Sequence, residues 1–174
     1  MKKITITMIG AMLMFVAAGC AGQSTAASSA SQNTSVSEST VETVDEFQSL
    51  KTALTNQGFE ISEEKGEDRT LFFVAKNDEG AIQVHAAIYS EEDSAGAAYA
   101  DEIAELNNES FQTVNNYVTD GKDLTVMIDD PLTQYAYVAY DPTDFKVYRF
   151  ENVLEGNGTN VEAVLNQLGF KAAQ

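Results

Sequence analysis

Residues 71–89 read LFFVAKNDEGAIQVHAAIY and are typical of a β-hairpin. Two runs rich in β-branched and aromatic residues, 71–75 and 81–89, flank the turn residues Asn-Asp-Glu-Gly at 77–80. In the second run, apolar side chains occupy every second position, as on a strand with one face toward a core. These residues are Ile82, Val84, Ala86 and Ile88. The pattern therefore places His85 on the other side of the strand.

Four more strands are predicted in the second half of the chain. Residues 111–118 and 124–128 are joined by an Asp-Gly dipeptide, which favours a tight turn. Residues 135–140 and 145–150 are joined around Pro142. Because short hairpin connections dominate, we expect a mainly antiparallel sheet.

The first and last helices have recognisable ends. A capping box of Thr43 and Glu46 predicts the start of the first helix, and Gly58 predicts its end, because glycine adopts left-handed backbone without strain. Thr159 predicts the start of the last helix, and Gly169 its end.

A middle helix completes the arrangement. It is predicted between Ser90 and Asn108, with an apolar stripe at helical spacing. The resulting order, α-β-β-α-β-β-β-β-α, predicts an α+β fold in which helices pack on one face of a mainly antiparallel sheet. We assign this fold to a single domain at residues 41–174.

The N-terminus has the pattern of an export signal. Lys2 and Lys3 precede an uncharged apolar run, residues 4–18, which is too short and too interrupted to be a good spanning helix. Small residues then lead into Cys20, the only cysteine. This arrangement resembles the lipobox of bacterial lipoproteins. The resemblance implies that residues 1–19 are a signal peptide and that Cys20 is acylated after cleavage.

The following segment is predicted to be a tether. Residues 20–40 begin with the lipidated cysteine and are rich in Ser, Thr and Ala, so they are unable to form a core of their own. We expect a domain anchored to the membrane through Cys20, on the extracytoplasmic face of the cell membrane.

The charge of the chain excludes one class of partner. The formal net charge is −17, and loss of Lys2 and Lys3 with the signal would bring it to −19. Such a surface repels nucleic acid and favours cationic or basic partners.

No catalytic motif is assigned. His85 is the only histidine, whereas a zinc site needs further His or Cys ligands. The stretch Ser62-Glu63-Glu64-Lys65 matches the acylating Ser-x-x-Lys motif, but we expect it to lie in a charged loop. Gly156 and Gly158 echo a dinucleotide-binding loop, but we interpret them as a flexible turn before the last helix.

Acidic pairs leave calcium binding open as an alternative. The first candidates are Asp129 with Asp130 and Asp141 with Asp144, because Ca²⁺ takes oxygen ligands from carboxylates. We favour a simpler role for most of these acids, in a turn or in the first turn of a helix, so no cofactor and no metal ligand is assigned.

Aromatic residues suggest a binding surface. If Val138 and Val147 face the core, tyrosines of the same strands face away from it, and the first hairpin adds two more candidates. The predicted ligand-binding residues are Tyr135, Tyr137, Tyr148, Tyr89 and His85. A tyrosine-lined face suits a glycan or a peptide. The alternative, which we favour, is that tyrosine simply suits strands and that loops partly cover these side chains.

The whole chain resembles small uncharacterised cell-envelope lipoproteins of low-GC Gram-positive bacteria. The resemblance rests on Gly58-Phe59, on the strand-to-helix step Tyr89-Ser90-Glu91-Glu92-Asp93, and on Leu168-Gly169-Phe170. We expect a lipid-anchored extracytoplasmic domain that binds another envelope protein or a small ligand. The alternatives are a small envelope hydrolase that uses carboxylates or His85, and a passive envelope component.

Overall fold

Seven antiparallel strands form one sheet in the computed structural model, which describes residues 46–67 and 69–171. In chain order they are β1 (Glu60–Glu67), β2 (Thr70–Asn77), β3 (Gly80–Ile88), β4 (Gln112–Thr119), β5 (Lys122–Asp129), β6 (Gln134–Asp141) and β7 (Lys146–Leu154). Across the sheet the order is β1-β2-β3-β7-β6-β5-β4. Two meanders are thus joined side by side through the pairing of β3 with β7.

Helices cover both faces of this sheet. The described part contains α1 (Gln48–Asn56), α2 (Glu92–Asn108) and α3 (Glu155–Gln167), with a short 3₁₀ turn at Asp130–Leu132. The α1 and α3 helices pack on one face. The α2 helix links the two meanders and packs on the opposite face, mainly against β6 and β7.

Each face has its own apolar core. On the α1/α3 face, Phe73 and Phe150 are fully buried. Side chains of the two helices pack against them, among them Leu50, Leu54, Val161 and Leu165. On the α2 face, Val138 and Met127 pack with Leu106 of the helix. Burial of each large apolar side chain stabilises the fold by about 1.5–3 kcal/mol.

The predicted α+β class, the antiparallel sheet and the order of the predicted elements are confirmed. The expectation that helices share one face of the sheet is met by α1 and α3. The α2 helix lies on the other face, against β6 and β7.

An additional strand, β1, occupies a segment that was predicted to be a charged loop. Its side chains are almost all exposed, because it is an edge strand with one neighbour, β2. The Ser62-to-Lys65 motif lies at an irregularity of the pairing, where Glu63 has a positive φ of 54°. Charged side chains do not prevent an edge strand from pairing with its one neighbour. They discourage the open edge from pairing with a strand of another sheet.

The expected flexible turn before the last helix is also wrong. The α3 helix starts at Glu155, four residues before Thr159, so that Gly156 and Gly158 are helical. A Cβ at Gly156 would collide with the Glu79 carboxylate, and one at Gly158 would lie 3.4 Å from the Tyr137 hydroxyl. These glycines therefore allow close packing of the first turn of the helix.

The glycine caps are confirmed. Gly58 has a φ of +79° and Gly169 a φ of +90°. The backbone N–H of Phe59 donates to the carbonyl of Leu54, and an equivalent bond closes α3. The predicted Thr43 cap, the signal peptide, Cys20 and the tether lie outside the described residues.

Candidate functional site

The predicted tyrosine surface is wrong, because its residues lie on two different faces of the sheet. Tyr137 and Tyr148 are buried in the core under α1 and α3, and Tyr135 packs against the same core. Burial raises the pKa of Tyr137 and of Tyr148. His85 faces the opposite side, where Tyr89 also packs. Apolar residues occupy both faces of the sheet. Alternation within each strand therefore did not reveal which side of the hairpin at 71–89 shares a face with which side of the hairpin at 135–150.

His85 and Tyr89 nevertheless share an open hollow, which we name the α2 groove. The groove lies beside α2, where the helix leaves the β2 and β3 part of its sheet face uncovered. Its volume is about 250 Å³. The chemically distinctive residues of its lining are Lys65, Phe72, His85, Tyr89, Glu102 and Arg149.

Aromatic side chains form one wall of the α2 groove. Phe72 of β2 and His85 of β3 are directly paired across the strands, and their rings meet edge to face with centroids 4.8 Å apart. His85 is exposed. Tyr89 follows β3, where its carbonyl accepts a bond of 2.9 Å from Arg69. Burial, with smaller contributions from Glu102 and Asp101, raises the pKa of Tyr89.

The other wall carries a buried arginine. Arg149 of β7 pairs with His85 across the strands. It points toward α2 because its neighbours Tyr148 and Phe150 point into the opposite core. Its Nη1 donates to Glu102 at 2.6 Å and to Glu105 at 2.9 Å. These two glutamates lie three residues apart, on one side of the helix.

Two more carboxylates surround the same guanidinium. Arg149 Nη2 lies 3.7 Å from Glu109, and Nε lies beside Glu151 of its own strand. We name Arg149 and its four glutamates the Arg149 cluster. One positive charge thus meets four negative charges, so the cluster is acidic overall.

The cluster changes the proton affinity of its members. Burial lowers the pKa of Arg149, but Glu102 and Glu151 outweigh this effect and hold it above its ordinary value. Burial raises the pKa of Glu151, although Arg149 and His85 counteract part of the rise. Of the groups that acid–base chemistry would use, His85 and Glu102 line the groove, whereas Glu151 contacts Arg149 outside that lining.

Sequence reasoning found His85 and Tyr89 but missed Arg149 and the glutamates of α2. A signal was present, because Arg149 stands at an alternating position within an apolar strand and requires a partner there. The glutamates at positions 102 and 105 lie on one side of a predicted helix, and Glu109 directly follows its end.

Two of the four candidate calcium residues, Asp141 and Asp144, have other partners. Burial would raise the pKa of Asp141, but Lys122 and the backbone N–H groups of Asp144 and Thr143 hold it below its ordinary value. Lys122 Nζ lies 2.6 Å from this carboxylate. Asp144 lies 3.5 Å from Lys146. Among residues 46–67 and 69–171, no group of three or more His, Cys, Asp or Glu side chains is arranged to hold a metal ion.

Within the described part of the chain, no helix has the length and apolar character needed to cross a membrane. No protein-family model matches this chain, and no curated protein and no solved structure is significantly similar to it.

Proposed function

We propose that this protein is a lipid-anchored binding domain on the extracytoplasmic face of a bacterial cell membrane, and that the α2 groove is its contact site for another envelope protein. The lipobox pattern ending at Cys20 supports the location. One structural observation carries the choice of site. The α2 helix covers only part of its sheet face and leaves an aromatic and charged hollow beside it.

The uncovered part of the face is suited to recognition. Phe72, His85 and Tyr89 combine apolar area with polar atoms, a combination that favours binding surfaces. The Arg149 cluster fixes α2 against β7, so the groove wall is held in place before a partner arrives. A preorganised wall lowers the entropy cost of association.

A small envelope hydrolase is the second candidate, because His85 and the carboxylate of Glu102 both line the α2 groove. We favour binding, since each carboxylate in this region already contacts Arg149. Turnover would require one of them to exchange protons with a substrate.

The anchor is tested with Cys20→Ser in the full-length protein. We expect the unsubstituted protein to carry acyl mass and to sediment with membranes, and we expect the variant to lose both properties. Equal membrane association of the two proteins would contradict the predicted anchor.

The site is tested by photo-crosslinking in intact cells. A photoreactive phenylalanine analogue replaces His85 in one strain and the exposed Glu60 in a control strain. We expect a discrete crosslinked protein from position 85 and none from position 60. Absence of any crosslink from position 85, or equal crosslinking from both positions, would contradict the proposed site.

A further inference from the structure

We infer that the α2 groove receives a lysine or arginine side chain of the partner protein, with the alkyl stem against Phe72 and His85 and the charged head at Glu102. The inference rests on the proposed function and adds the chemistry of the contact. Four observations support it: the charge, the size and the wall composition of the groove, and the net charge of the whole chain.

Charge is the first. Arg149 supplies one positive charge to four glutamates, and Lys65 adds a second positive charge on the β1 side of the groove. Of the four glutamates, only Glu102 lines the groove, and the other three contact Arg149 from outside that lining. The Arg149 cluster and Lys65 together carry two negative charges in excess. Crowded carboxylates repel one another, so a cation that enters here gains an attraction that a neutral group lacks.

Size is the second. Ligand pockets usually measure about 300–1,000 Å³. The α2 groove, at about 250 Å³, falls below that range. It therefore suits one long side chain better than a complete cofactor or an oligosaccharide. A side chain belongs to a partner protein, which agrees with the proposed function.

Wall composition is the third. Lysine and arginine place their alkyl stems along apolar surfaces while the charged head remains near polar groups. Phe72 and Tyr89 offer ring surfaces that attract a cation within about 6 Å. The edge-to-face contact with His85 holds the Phe72 ring at one angle, 88° from the imidazole plane. Glu102 then lies on the helix side of the same hollow.

The charge of the whole chain is the fourth. A net charge of −17 attracts a basic surface and repels an acidic one. A second copy of this chain is therefore a poor occupant.

The chain provides its own reporter, because His85 is its only histidine and lines the groove. Full-length lipidated protein without a histidine tag, labelled with ¹³C-histidine and held in detergent, gives one imidazole signal. The probes are Nα-acetyl-lysine amide and Nα-acetyl-arginine amide. Nα-acetyl-norleucine amide has a comparable aliphatic stem without the charge, and cadaverine represents a free small cation.

We expect the lysine and arginine probes to shift the His85 signal saturably, with a Kd at least about tenfold lower than that of the norleucine probe. The Kd should rise with NaCl between about 0.05 M and 0.5 M, because salt screens the contact. Glu102→Gln should raise it about five- to tenfold. The matched variant Glu60→Gln removes the same charge at an exposed site and should leave it unchanged.

Equal affinity for the norleucine and lysine probes, or no shift with either basic probe, would overturn the inference. Tighter binding of cadaverine than of the amino-acid amides would assign the groove to a free cation instead. The salt dependence requires no variant, so a folding defect in Glu102→Gln leaves the test intact. A crosslink from position 85 without charge selectivity would retain the proposed function and reject only this inference.

Discussion

Arg149→Met tests the role of the Arg149 cluster, since it removes the guanidinium that four carboxylates share and keeps an unbranched side chain. The Arg149 side chain is 6% exposed, and those of Glu102 and Glu151 are 25% and 17% exposed. Glu105 and Glu109 are more than half exposed. Breaking a buried ion pair costs about 3–5 kcal/mol, whereas an exposed pair contributes about 0–1 kcal/mol. We therefore expect a loss of about 3 kcal/mol in the free energy of unfolding near pH 7.

The loss should diminish on acidification. Burial raises the pKa of Glu151, and Arg149 counteracts part of that rise. Without the guanidinium the pKa of Glu151 rises further in the folded variant. A folded-state pKa above the unfolded value contributes stability that is present at low pH and is lost as pH rises through it. The difference in the free energy of unfolding between wild type and variant is thus largest near neutral pH and becomes smaller toward about pH 4.

Urea unfolding of the full-length protein, followed by far-UV circular dichroism at several pH values, measures both effects. Arg69→Met is the matched control, because it replaces the only other arginine, which is exposed and donates to the Tyr89 carbonyl. We expect the control to lose less than about 1 kcal/mol at any pH. Equal losses of stability in the two variants, or a deficit of Arg149→Met that grows in acid, would contradict the proposed role of the Arg149 cluster.

Three further substitutions test the fold by the same unfolding measurement. Lys122→Met removes the 2.6 Å ion pair of buried Asp141 and should cost about 2 kcal/mol near neutral pH. Because the pKa of Asp141 is lowered in the folded state, the ion pair stabilises the wild type at pH values above the pKa of the unfolded state. This stability advantage over the variant should be lost as the pH falls through the folded-state pKa, and an advantage that persists in strong acid would contradict the prediction. Gly58→Ala should cost about 1 kcal/mol from backbone strain alone, because φ is +79° and nothing lies within 4 Å of the added Cβ; an unchanged midpoint would exclude that strain. Phe73→Ala should cost about 3–5 kcal/mol, because Phe73 is fully buried between the sheet and the helices; a loss below 1 kcal/mol would contradict its place in the core.

Local chemistry made much of the fold predictable. Gly80, at the end of the Asn-Asp-Glu-Gly turn, and Gly58, at the end of the first helix, both have a positive φ. Because glycine adopts this backbone conformation without strain, these residues identify the turn and the cap in the sequence. The β1 strand was missed because an edge strand is stabilised by pairing with its neighbour and tolerates charges that are typical of a loop. The start of α3 was missed because Gly156 and Gly158 weaken a helix locally, while their packing against Glu79 and Tyr137 is a tertiary property.

The candidate site was predictable only in part, for a related reason. Alternation places His85 opposite Val84, but it does not reveal that helices cover both faces of the sheet. Tyr137 and Tyr148 were consequently assigned to an exposed surface. Arg149 acquires its significance only when β7 is placed beneath α2, an arrangement that depends on strand order.

The most direct test of the central claim is photo-crosslinking from position 85 in intact cells, repeated on Glu102→Gln and Glu60→Gln backgrounds. The account predicts one crosslinked envelope protein that attaches through a segment containing lysine or arginine. It predicts that Glu102→Gln strongly reduces this product and that Glu60→Gln leaves it unchanged. A product that is equally abundant on both backgrounds would contradict the charged contact, and the absence of any product would contradict the groove as the binding site.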